Sequence, residues 1–313
     1  MRTILFLLVG TMGLTGLARG QASAADLARS LKHKDRAERL RAANELGKLG
    51  AGAAGAASAL GAALGDEVPE VRNAAADALG KIGKPAVAVV DKALGDQARQ
   101  AAAMRAAGNL GPLAVGLLPA VTKPWRSVAS DTAIQQCLLA IGEPALPHLI
   151  ECLKDNAINL QVCQVLSSMG PKAKAAVPAL IELLGRTGPR APEGAAAALG
   201  PIGDERAVAA LLAAAEPGLT KISATPATIT SNAVRSLGEI RAQPDLVVPF
   251  LLRVLASERR DFEFVRIQGQ ALGALEHFDV RKPAVLDALR AFLAAQPGEN
   301  KGPAERLLEK LSG

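Results

Sequence analysis

Val71-Arg72-Asn73-Ala74-Ala75-Ala76-Asp77-Ala78-Leu79-Gly80-Lys81-Ile82-Gly83 decides the fold. Val71 to Ala78 is an alanine-rich amphipathic stretch, and alanine is the strongest helix former. Gly83 suits the left-handed residue that ends a helix. The closing phrase recurs along the chain: Leu46-Gly47-Lys48-Leu49-Gly50, Leu138-Leu139-Ala140-Ile141-Gly142, Leu166-Ser167-Ser168-Met169-Gly170, Leu199-Gly200-Pro201-Ile202-Gly203, Leu237-Gly238-Glu239-Ile240 and Leu272-Gly273-Ala274-Leu275. With a degenerate copy at Leu110, the anchor leucines stand 33, 31, 28, 28, 33, 38 and 35 residues apart. That period fits one helical hairpin.

About ten residues after each anchor comes a proline and a dense aliphatic run, as in Pro147–Leu153, Pro178–Leu184 and Pro249–Leu255. Proline is tolerated in the first turn of a helix because its missing N–H breaks no bond there. Asp66, Asp96 and Asp155 stand where an N-cap for the next helix belongs. Each unit therefore reads as an alanine-rich helix A, a turn, a proline-led helix B and a turn. Composition agrees. Half of the 313 residues are hydrophobic, yet there is no tyrosine, one tryptophan and six phenylalanines. Strands favour aromatic and β-branched residues, so an all-α solenoid of about eight hairpins is expected and a sandwich or barrel is not.

The sequence resembles the HEAT-repeat family, in the bacterial HEAT-like form also found in bilin lyase subunits. Gly203–Leu212, and Val71-Arg72 ahead of Leu79-Gly80, carry the likeness most closely. Arg39 and Arg72, seven residues before their anchors, match the family's recurrent arginine, which later copies replace with Asp131, Asn159, Pro192 and Thr230. The stretch from Pro217 to Ala227 is longer than an ordinary turn between repeats. The resemblance implies a long concave face that binds proteins or peptides, assigned here to the B helices. It also implies an alternative, an enzyme or enzyme-accessory subunit akin to the lyases, although bilin attachment is cytoplasmic in that family.

The N-terminus carries an address. Arg2 precedes an uncharged apolar run from Ile4 to Leu17, and Ala22-Ser23-Ala24 and Ala18-Arg19-Gly20 are two small-residue cleavage sequences. Residues 1–24 therefore read as a secretory signal peptide. A retained anchor is the alternative, but the run is shorter than the ~20 residues a membrane span needs. Residues 25–313 form the solenoid, and 301–313 a charged half-repeat capping its end. Export to the periplasm or the exterior follows, with no membrane insertion after cleavage. The formal charge of +6 falls to +4 without Arg2 and Arg19. That mild basicity, with few aromatic rings, argues against nucleic acid.

Several features resemble chemistry without its context. Gly50-Ala51-Gly52-Ala53-Ala54-Gly55 spells a dinucleotide fingerprint, but the chemistry needs a strand in front and a helix N-terminus under the pyrophosphate. His148 and Cys152 share a helix face and suggest zinc, whereas Cys152 and Cys163 occupy small core positions in the repeat alignment. A Cys152–Cys163 disulfide is open in an exported protein. No catalytic residue, cofactor or metal is expected. Trp125 is either a partner anchor or the cover of a helix pair.

For a partner, the helix B register nominates a ladder. Positions two, three and six after the proline are aliphatic, so positions one and four point outward: His148 and Glu151, Ala179 and Glu182, Phe250 and Arg253, Ala284 and Asp287. His148, Glu151, Glu182, Phe250, Arg253 and Asp287 are the expected binding residues. Phe250 is either an exposed anchor beside Arg253 or a ring folded over the Pro217–Ala227 stretch. The function expected is a non-enzymatic scaffold of the cell envelope that takes a protein or peptide on its concave face.

Overall fold

The computed structural model describes residues 22–126, 131–186, 190–219, 227–257, 259, 261–278, 282–295 and 298–312. The proposed signal peptide's apolar run lies outside them. Among the described residues there is no strand. A lone helix, α1 (Ala24–Ser30), opens the array. Hairpins follow: α2 (Arg36–Leu49) with α3 (Ala57–Ala63), α4 (Pro69–Ile82) with α5 (Val87–Leu94), and α6 (Gln100–Leu110) with α7 (Leu118–Thr122). Next come α8 (Asp131–Ile141) with α9 (Leu146–Cys152), and α10 (Asn159–Met169) with α11 (Val177–Leu184). Then come α12 (Arg190–Ile202) with α13 (Val208–Ala215), α14 (Ala227–Ile240) with α15 (Pro244–Ala256), and α16 (Phe262–Leu275) with α17 (Pro283–Ala295). The helix α18 (Lys301–Ser312) closes the array, with Ala304, Leu307 and Leu311 buried and Glu305, Arg306, Glu309 and Lys310 outward. The described residues thus form the expected eight hairpins.

The turn after helix A is built by a glycine with positive φ at Gly50, Gly83, Gly111, Gly142, Gly170 and Gly203. A β-carbon is disfavoured in that conformation, so the recurring final glycine of the anchor phrase is a backbone requirement. The turn after helix B differs from expectation. Asp66, Asp96 and Asp155 accept from the N–H two residues on, of Val68, Ala98 and Ala157, while the N-caps are Val68, Arg99 and Ile158. These aspartates form Asx turns ahead of the helix and leave the cap itself to the backbone. Asp35 and Asp261 do cap α2 and α16 directly.

The arginine shared with the family ties neighbouring repeats. Buried Arg39 donates to both carboxylate oxygens of Asp66 at 2.7 and 3.0 Å and to Glu67 at 3.0 Å. Arg72 donates to the main-chain carbonyls of Asp66 and Glu67. Burial would raise the Asp66 carboxyl, but the Arg39 guanidinium and the Val68 N–H outweigh it and hold it below 3.8. A depressed folded value means the pair contributes stability above the unfolded value near pH 4 and loses it as pH falls further. Asp66→Asn should cost about 1–3 kcal/mol at neutral pH and flatten the acid limb below pH 4. Acid titrations of wild type and variant that run parallel would contradict it.

Helix A packs on helix A through small residues. Gly47 faces Ala78, Gly80 faces Asn109, Gly108 faces Cys137 and Ala140, and Gly238 faces Ala274. The B helices are spaced by leucine, valine and isoleucine and lie farther apart; α14 and α16 approach more closely than the similarly long α15 and α17. A two-layer stack bends toward its more tightly spaced layer, which argues for the alanine-rich A helices as the inner layer and the B helices as the outer one. On that ground the A layer, rather than the B helices that the resemblance nominated, is taken as the concave face. Family resemblance located a concave face, but the side-chain volumes in each layer decide which layer it is. The A layer is loosest between α8 and α10. On these two helices Leu139 and Ser167 follow the anchor leucines in place of glycine.

Candidate functional site

Glu151, Glu182, Arg253 and Asp287 are exposed on the outer layer. Each is ion-paired within the chain: to Lys154 at 2.7 Å, Arg186 at 3.2 Å, Glu216 at 2.6 Å and Arg290 at 3.0 Å. His148 is half-buried rather than outward. Its Nε2 lies 3.0 Å from Thr122 Oγ1 and 3.4 Å from Cys152 Sγ, and burial lowers its pKa. Thr122 donates onward to the Leu118 carbonyl, so the imidazole joins α7 to α9 structurally.

Phe250 departs from the ladder altogether, with only 2 % of its surface exposed. Pro249 does not begin its helix either, because α15 starts one turn and more earlier at Pro244. At the same position after the proline Ala179 is half-buried and Ala284 exposed. A ring there is covered: Arg253 stacks 5.6 Å from the Phe250 centroid and is clamped to Glu216 by two hydrogen bonds. Phe250 is core, and the Arg253–Glu216 bridge is its lid. Phe250→Ala should therefore destabilise by about 3–5 kcal/mol. A thermal melt unchanged from wild type would contradict that assignment.

Trp125 is also buried, at 5 % exposure, as part of the core and not as an exposed anchor. The Gly50–Ala56 tract winds as a 3₁₀ segment after helix α2, without the strand a dinucleotide site requires. Among the described residues no group of three or more His, Cys, Asp or Glu could hold a metal ion. No disulfide joins Cys152 to Cys163. Cys163 sits in α10 facing the position of Gly194 on α12. Burial pushes the thiols of Cys137 and Cys163 up to about 12. A thiol reagent applied to native protein should therefore modify Cys152 first and the other two only on unfolding. Three thiols reacting at one rate in folded protein would contradict this.

The A helices carry two grooves. One groove of about 460 Å³ crosses α4, α6 and α8 and is lined by Arg72, Asn73, Arg105, Asn109 and Gln136 over a floor of alanine and Gly108. A second, of about 330 Å³, crosses α10, α12 and α14, with Gln164, Ser167, Ser168, Glu193 and Asn232 on its walls. Asp77 neutralises Arg105 at 2.9 Å and accepts from Asn109 Nδ2 at 2.8 Å. Gln135 donates to Gln164 Oε1 across the loose α8–α10 step. Asn232 donates to the Glu193 carbonyl. Sequence reasoning did not nominate these carboxamides. A trace existed: Asn44, Gln136, Gln164 and Gln270 all stand two residues before their anchors.

Comparison with known proteins fits this architecture. The family model for HEAT repeats matches residues 23–111 and 146–225, more than half of the chain. The chain is a HEAT-repeat protein. No curated protein matches its sequence. Solved structures similar to this HEAT solenoid include an engineered protein at 19% identity, TM-score 0.39, covering 93% of this chain and 99% of that one. Another is the CpcE–CpcF complex of phycocyanin lyase from Nostoc sp. PCC7120, at 19% identity, TM-score 0.33, covering 79% and 93%. A third is human deoxyhypusine hydroxylase, at 20% identity, TM-score 0.33, covering 82% and 97%. At these identities the likeness is one of fold. Among the described residues no helix is long and apolar enough to cross a membrane.

Proposed function

We propose that this HEAT-repeat protein is a non-enzymatic scaffold of the cell envelope that holds a protein partner against its alanine-rich inner face. The observation that carries the reading is the pair of inner grooves, walled largely by uncharged hydrogen-bonding side chains. The strongly shifted carboxylate, Asp204, held near 2 by the Arg206 guanidinium, serves an ion pair at a turn outside those grooves. A surface of amides and hydroxyls on a rigid layer suits recognition more than proton transfer. The outer-layer rungs Glu151, Glu182, Arg253 and Asp287 keep a subordinate place, since each already has an ion partner.

Export is part of the proposal and rests on the N-terminal sequence. The Ser23 side chain accepts from the Asp26 N–H and caps α1, so cleavage after Gly20 keeps that cap while cleavage after Ala24 removes it. Mass spectrometry of the purified protein should find Gln21 or Ala25 first; an intact Met1 would end the export proposal. The scaffold itself is tested by tagged wild type in an envelope fraction, which should recover a small, reproducible set of proteins. Recovery of none, or covalent transfer of bilin to a phycobiliprotein apo-subunit, would overturn it.

A further inference from the structure

We infer that the edge of the solenoid formed by the turns from helix A to helix B adsorbs to an anionic lipid bilayer, without inserting a helix. Leu49, Leu113 and Val115 enter the headgroup layer there, beside Lys81 and Lys84. Among the described residues six large hydrophobic side chains are exposed, and five of them, Leu49, Leu113, Val115, Leu139 and Leu246, stand within three residues of such a turn. The sixth, Phe262, lies at the opposite edge. Exposure concentrates on the first three hairpins, where Leu113 is 48 %, Val115 40 % and Leu49 38 % exposed. Their turns meet in order. A β-carbon on Gly50 would lie 3.5 Å from the Lys81 carbonyl oxygen, and one on Gly83 would lie 3.7 Å from Leu113 Cδ1.

Charge selects the partner. Residues 49–57, 82–87 and 110–118 hold no aspartate or glutamate. Lys81 and Lys84 are exposed beside the aliphatic side chains with no ion pair among the described residues. Asp77, which shares a shallow groove with Lys81, is committed to Arg105. Lys172 and Lys174 continue the edge on the fifth turn, with Glu143 on the fourth as the intervening acid. Over the first three hairpins the opposite edge carries Asp66, Glu67 and Asp96 and, among the described residues, no exposed large hydrophobic.

A lysine near an anionic membrane surface is worth about fivefold in binding. Its stem lies along the apolar layer while the ammonium reaches the phosphates. Aliphatic side chains among basic ones settle at the boundary between headgroups and acyl chains. A protein partner fits less well, because buried interface centres are rich in aromatic residues and poor in lysine. The three turns hold no ring. Nucleic acid would take the lysines but leave the aliphatic side chains against water. Neither large groove is lined by Leu49, Lys84, Leu113 or Val115, so an adsorbed array keeps both grooves open to a partner.

The experiment is co-sedimentation of the purified processed protein with vesicles of phosphatidylcholine, alone or with about one third phosphatidylglycerol. The anionic lipid should tighten binding at least ~10-fold, and the gain should shrink as salt is raised. Lys81→Glu with Lys84→Glu should weaken binding to the anionic vesicles at least ~10-fold. Leu113→Ser with Val115→Ser should weaken it about 5-fold. Both pairs alter exposed side chains, and melting curves followed in parallel guard against a variant that unfolds. Lys32→Glu with Lys34→Glu makes the same charge change on the opposite edge and should weaken binding less than about 2-fold. The inference falls if the two vesicle types bind equally, if neither binds, if both edge variants bind as wild type, or if the opposite-edge variant loses as much. Tighter binding of single-stranded DNA than of anionic vesicles would also overturn it. Vesicle binding that persists while the wild type captures no envelope protein sustains the edge and ends the scaffold reading; the reverse result ends the edge alone.

Discussion

Leu180→Asp should unfold the middle of the solenoid while leaving its N-terminal hairpins folded. Leu180 is fully buried in α11. Its loss costs about 2–5 kcal/mol in transfer and cavity terms, and an unpaired carboxylate in apolar surroundings adds about 1–3 kcal/mol or more. Because each hairpin touches chiefly its neighbours, stability is close to a sum over repeats and interfaces. Amide exchange should show protection lost across α10 to α12 and retained in α2, α4 and α6. The loose α8–α10 step is the expected boundary. Uniform loss across the chain would show that the array melts as one cooperative unit.

The second large effect separates two glycines that hold the same place in the repeat. A β-carbon on Gly238 would lie 2.7 Å from the Ala274 Cα and 2.6 Å from its Cβ, so α14 and α16 would have to part. A β-carbon on Gly47 would meet Ala78 at 3.4 Å, ordinary contact. Alanine gains about 1 kcal/mol over glycine within a helix, while overpacking costs about 1–3 kcal/mol. Gly238→Ala should therefore lower the melting temperature, and Gly47→Ala should leave it unchanged or raise it. Equal shifts of one sign would mean that propensity alone, rather than helix spacing, governs these positions.

The contrast between these glycines marks where sequence reading stops. Both follow an anchor leucine, and nothing local distinguishes them. Their consequences differ because the facing helix presents its backbone at different distances. The same holds at Phe250. Its register after a proline and its neighbour Arg253 suggest an exposed anchor, yet the ring is covered by a bridge from Arg253 to Glu216, a residue 37 positions earlier. No local pattern encodes that bridge. The carboxamides escaped attention for a related reason. Asn73, Asn109 and Gln136 occupy different places relative to their anchors, and they share a groove only once three helices stack.

By itself the sequence determined the helical character, the hairpin period, the glycine turns and the eight-unit array. These depend on local propensity, on φ at single residues and on periodic burial, all written in consecutive residues. The tertiary structure alone decided which layer packs more tightly, because Gly and Ala let A helices approach while Leu, Ile and Val hold B helices apart. It alone placed Phe250 and Trp125 in the core and drew the carboxamides into grooves, since burial at a seam depends on side chains that repeats contribute from about 30 to 40 residues away.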